Sequence, residues 1–154
     1  MVQTVEPTPS IARSMCESYR ILFGWATSVD LESGELQLAV GDPVDALIIP
    51  AGFAGEVNLM LKVRMQRAPV IVVPGSPTKW MFLTGPRTQL RESTFAAMVR
   101  NRVEWLDKGS KIMLPVGPTS PVRWLEGGPT VGHELPLWTT IIAAARSAAA
   151  MGAW

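Results

Sequence analysis

A chain of 154 residues is the size of one domain, since two would each be left too small to close a comfortable core. Hydrophobic side chains make up 47% and charged ones 18%, below the roughly 25% of an average soluble chain, which excludes disorder over most of the length. Fourteen basic against 13 acidic side chains leave a formal charge of +1, so no global field gathers a polyanion and a nucleic-acid site has to be local.

The one cysteine, Cys16, forms no internal disulfide, which fits a reducing compartment, and with His133 as the one histidine the chain lacks a Cys/His zinc set. The start carries Glu6, Pro7 and Pro9 where an export signal needs a basic and then an apolar stretch. The most apolar segment, Trp138 to Trp154, is broken by Arg146 and falls short of the roughly 20 residues that cross a bilayer. These features predict a cytoplasmic chain with no membrane partner.

Residues 1–9 show no apolar periodicity and are expected to form a flexible arm ahead of one domain over residues 10–152. Ser10 has the chemistry of a helix N-cap, and Ile11, Met15, Tyr19, Leu22 and Phe23 follow at helical spacing up to Gly24. Alternation then takes over from Trp25 to Val40, with Ser33-Gly34 at the centre of a hairpin. Val44 to Ile49 is nearly all apolar, as a central strand covered on both faces would be, and Asp45 is its one charge. Phe53, Val57, Met60 and Leu61 trace a helix to about Gln66.

Pro69 to Val73 and Lys79 to Leu83, joined by a Pro-Gly-Ser-Pro-Thr turn, predict an antiparallel hairpin. Thr88 to Arg102 is helix-compatible, Val103 to Leu106 and Lys111 to Leu114 are short strand candidates, and Pro115 to Gly132 is a Pro/Gly-rich sheet edge around Val122 to Leu125. Pro136 sits at the first turn of a last helix carrying Leu137, Trp138, Ile141, Ile142, Ala145 and Ala149. The sum is an α+β domain with a mostly antiparallel sheet and about three helices.

Metal-dependent phosphoryl transfer needs converging carboxylates, and Asp30-Leu31-Glu32 has the two-residue spacing that puts two acids on one side of a strand. Asp45 stands alone, and a lone acid in an apolar strand is more often paired with an arginine or a backbone amide than catalytic. Six tryptophans are many for this length, and Lys79-Trp80 and Arg123-Trp124 each put a cation beside a flat ring, the combination that stacks bases while holding phosphate; Lys111 adds a nearby charge. No phosphate-binding glycine loop occurs, and the pattern implies no cofactor and no metal.

Three stretches carry a family resemblance: Val44 to Gly52, Val72 to Phe82, and Lys111 to Val116 with Val122 to Trp124. In order and spacing they resemble small actinobacterial proteins related to the N-terminal domain of bifunctional DNA primase-polymerases. The resemblance implies a primase-polymerase-like fold, with Asp45 as the first acid of its metal site. Leu47 stands where the family has its second acid, and Trp80 about where it has a nucleotide-contacting histidine, which implies a lost polymerase site. The leading expectation is a non-catalytic module acting through a protein partner or a second copy of itself. A single-strand binder using Lys79, Trp80, Arg123, Trp124 and Lys111, and a residual nucleotidyltransferase using Asp45 with Asp30 or Glu32, are the alternatives.

Overall fold

Residues 8–152 are described by the computed structural model. The first helix, α1 (Thr8–Phe23), begins two residues before the predicted cap Ser10, and Met1 to Pro7 of the expected arm lie outside the described residues. Its buried positions are Ala12, Cys16 and Tyr19, with Met15 and Phe23 half-buried, while Ile11 and Leu22 of the predicted stripe are exposed. The stripe is rotated by about one residue because the small Ala12 and Cys16 let the helix lie close to the sheet: Thr27 Oγ1 donates to the Cys16 carbonyl at 3.0 Å.

The predicted hairpin forms as β1 (Thr27–Val29) and β2 (Leu36–Ala39), with Thr27 opposite Leu38 and Val29 opposite Leu36. Next come β3 (Asp45–Pro50) and α2 (Ala51–Val63), then the second hairpin of β4 (Val70–Val73) and β5 (Lys79–Thr84). The chain closes with α3 (Glu92–Arg100), β6 (Lys111–Met113), β7 (Arg123–Trp124) and α4 (Trp138–Met151). Among the described residues these strands make two sheets, both antiparallel: β1-β2-β6, and β3-β5-β4-β7.

Strand alternation turns the four-stranded sheet into the middle layer. Leu47, Ile49, Val70 and Phe82 face a core shared with α2, α3 and α4, built on Val57, Leu61, Met98, Trp138 and Ile141. Ala46, Ile71, Met81 and Leu83 face the other way, into a core shared with α1 and the small sheet through Tyr19, Trp25, Leu36, Leu38 and Ile112. Helices therefore cover one face, and a small sheet with one helix covers the other.

Among the described residues four helices form, one more than expected, because the segment after Thr88 folds as the short α3. Val103 to Leu106 forms no strand; it contributes a single bridge, with Ile48 and Glu104 exchanging backbone hydrogen bonds of 2.8 and 2.9 Å. That bridge corrects the reading of β3, which is covered on both faces yet lies at the edge of its sheet. The edge is closed residue by residue: Ile48 is paired, Ala46 N–H donates to Asp45 Oδ1 at 2.8 Å, and Pro50 has no N–H to offer.

Candidate partner-binding groove

The acids of the predicted metal site do not share a strand. β1 ends at Val29, and Asp30 accepts from the Ser33 backbone N–H at 2.9 Å and the Ser33 hydroxyl at 2.7 Å, an Asx-type turn at the hairpin tip. These hydrogen bonds from Ser33 hold the Asp30 carboxyl below its ordinary value, with a smaller contribution from the charge of Lys111. Glu32 is exposed on that turn, so the strand alternation expected to align it with Asp30 does not apply. Asp45 is fully buried in the other sheet, its side chain on the same face as Leu47, and its carboxylate is held by Arg87. Arg87 also donates to the Leu106 carbonyl and lies 5.6 Å from the Trp138 ring centre. Among the described residues no group of three or more His, Cys, Asp and Glu side chains is placed to hold a metal ion.

The basic and aromatic set is divided by the sheet. Trp80, Val72 and Arg123 lie opposite one another across β5, β4 and β7, so Trp80 and Arg123 share the helix-side face. Lys79 and Trp124 fall on the reverse face by alternation. Trp80 is half-buried against the helix-side core and Trp124 against the other. Lys79 is engaged with Glu104 at 3.2 Å, and Lys111 is exposed on the small sheet. The four residues do not form one stacking platform.

Sequence reasoning missed a concavity of about 480 Å³ between the end of α1 and the segment 129–137. Gly24, at φ 71°, ends α1 in the left-handed conformation and turns Trp25 back under the helix. There Trp25 stacks on Tyr19, with ring centres 5.2 Å apart and planes 1° from parallel, and Phe23 tilts against both rings. Burial raises the Tyr19 phenol above its ordinary value, partly offset by its hydrogen bond with Trp124. Pro86 and Pro129 stiffen the walls.

The segment 129–137 is anchored at both ends. Arg67 donates to Thr130 Oγ1 at 3.0 Å and to the Glu126 carbonyl at 3.2 Å, while Gly85 N–H donates to the Pro136 carbonyl at 2.9 Å. Leu22 and Leu137 line the groove yet remain 54% and 66% exposed, and His133 and Glu134 stand on the wall. This lining has no periodic signature, because it combines one helix end with three loops. The exposed Leu22, which breaks the expected burial stripe of α1, is its nearest trace in the sequence. No family model, curated protein or solved structure matches this chain.

Proposed function

We propose that this chain is a primase-polymerase-like domain without nucleotidyl-transfer chemistry, and that it works by docking an apolar segment of a protein partner in the groove beside α1. The observation that carries this reading is the pair Leu22 and Leu137, large apolar side chains left more than half exposed on walls that are already fixed in place. A volume of about 480 Å³ would also admit a small molecule, but such a ligand leaves the rims of Leu22 and Leu137 in water, whereas a polypeptide covers them. Of the lining residues Glu134 alone is a formal anion and none is a formal cation, so the partner segment places a lysine or arginine beside its apolar anchor. Preformed walls lower the ordering cost of such binding.

The loss of catalysis in this reading is supported by the chemistry at two positions. Asp45 is committed to Arg87 and to Ala46 N–H, and Leu47 is a fully buried core residue with no atom for a metal.

A photo-crosslinking residue placed at Leu137 in the native host tests the docking site, with the same residue at Phe95 as the control. The expected result is a crosslink from position 137, absent from position 95, to a partner peptide that carries an apolar residue next to a basic one. Equal crosslinking from both positions, or none from 137, overturns the assignment. Nucleotide incorporation with Mg²⁺ or Mn²⁺ by the purified chain rejects the non-catalytic reading if it occurs and is abolished in Asp45→Asn.

A further inference from the structure

Two further surfaces carry large apolar side chains in water, one at a hairpin tip and one that adjoins the 129–135 wall of the groove, and they differ in charge. The first is the tip of the β1–β2 hairpin, where Leu31 is 99% exposed between Asp30 and Glu32, with Glu35 just ahead of the returning strand. The tip is not loose. Asp30 accepts two hydrogen bonds from Ser33, Ser33 Oγ accepts from Glu35 N–H at 3.2 Å, and Gly34 N–H donates to the Asp30 carbonyl at 2.8 Å. Leu31 is thus presented on a fixed turn among carboxylates, and the charge of Lys111 reaches Asp30.

The second surface is the end of the helical layer. Arg64 Nη2 donates to Ser147 Oγ at 2.6 Å, which sets the C-terminal ends of α2 and α4 side by side. Val63 is 71% exposed there, Met65 91% and Met151 76%. Met65 has φ 56°, a left-handed conformation at a helix end where glycine or asparagine is favoured, so the chain bears backbone strain to project this side chain. Arg64 and Arg67 flank Met65 along the chain and the exposed Arg146 adjoins Ser147, so three arginines outnumber Glu134, the acid that shares a concavity with Met65 and Arg67. Arg64 and Arg67 are held by neutral acceptors, a serine hydroxyl and a threonine hydroxyl with a backbone carbonyl, so their charges are fixed in position without being cancelled.

We infer that the acidic Leu31 tip of one copy docks on the basic Val63–Met65–Met151 end of a second copy, giving head-to-tail self-association. Charge complementarity selects the occupant: the basic end needs an apolar plug carrying carboxylates, and the chain itself presents one on a rigid turn. The two surfaces come from different elements, so each molecule offers both at once. The contact is heterologous and has no internal reason to stop at a dimer.

Sedimentation of the full chain over a range of concentrations and salt tests this. Wild type is expected to grow in mass with concentration, and to associate at least about tenfold more weakly when high salt screens the charges. Leu31→Lys and Met65→Glu, both at exposed positions, are each expected to remain monomeric alone. Mixed in equal amounts they are expected to form a one-to-one complex and nothing larger, because each keeps the surface the other has lost. Thermal melts of both variants confirm that they are folded. Wild type that stays monomeric at millimolar concentration overturns the proposal. So does a mixture that associates no better than its components, or a single variant that still assembles as wild type does.

Discussion

Arg87 grips both carboxylate oxygens of Asp45, with Nε donating to Oδ2 at 2.5 Å and Nη2 to Oδ1 at 2.9 Å. Asp45 is fully buried and the Arg87 side chain is 18% exposed, so little water is at hand to replace either partner. Arg87→Ala strands a carboxylate in the core and is expected to cost about 3–5 kcal/mol. Asp45→Asn combined with Arg87→Met is expected to cost less than the sum of the two single changes, because the pair vanishes together. Urea unfolding of Arg87→Ala measures the first value, and that of wild type, Asp45→Asn, Arg87→Met and the double variant measures the second.

Trp138 offers a different balance. It is 2% exposed, it meets Trp105 edge-on at 5.6 Å, and its Nε1 has no hydrogen-bond partner. Trp138→Phe removes ring volume together with an unsatisfied donor, so the two effects oppose, and a net loss below about 1.5 kcal/mol is expected. Trp138→Ala empties the site and is expected to lose about 3–5 kcal/mol. A loss in Trp138→Phe as large as that in Trp138→Ala would overturn the expected balance, because the retained ring would then recover none of the packing.

Tyr19 makes stability depend on alkaline pH. Its phenol is raised above the ordinary 10.0 by burial, so the folded chain holds the proton more tightly than the unfolded one. The contribution is complete below pH 10.0 and is lost as pH rises through that value toward the folded one. Tm is therefore expected to fall on the alkaline side in wild type and to fall less in Tyr19→Phe. That variant starts lower by about 1 kcal/mol, having lost the hydrogen bond with Trp124. The chain has one tyrosine, so phenolate absorbance follows the titration directly.

Met65 places folding and assembly in opposition. Met65→Gly relieves a left-handed residue at φ 56° and is expected to stabilise the fold by up to about 1 kcal/mol, less what the more flexible unfolded chain regains. The same change removes a side chain that is 91% exposed and is expected to weaken self-association. Chemical denaturation and sedimentation of this one variant read the two effects separately.

The parts of the fold legible in the sequence are those in which local pattern and tertiary burial agree. The two hairpins follow from alternation and turn residues, and α4 from the spacing of Trp138, Ile141, Ile142 and Ala145. The edge position of β3 is not legible, because an unbroken apolar run reports burial on two faces and is silent about lateral neighbours. The rotation of α1 leaves little mark in the sequence, because the buried Ala12 and Cys16 are small and weakly hydrophobic yet suit a close approach.

The candidate sites were less legible still. Asp45 stood out as a charge in an apolar strand, but its partner Arg87 sits 42 residues away in a loop with no periodicity to mark it. Lys79-Trp80 and Arg123-Trp124 look alike as dipeptides, yet pairing of Val72 with both Trp80 and Arg123 sends like residues to opposite sides. Adjacency along a strand separates two side chains; only register brings them together.

The guarded rim of β3 has a bearing on solubility. One carboxylate oxygen of Asp45 occupies Ala46 N–H, and Arg87 ties that same carboxylate to the 104–106 segment lying alongside. Cutting this tie does more than soften the interior: it bares a ready template for incoming extended chains, so variants lacking Arg87 should be watched for fibrous deposits as closely as for a lower melting point.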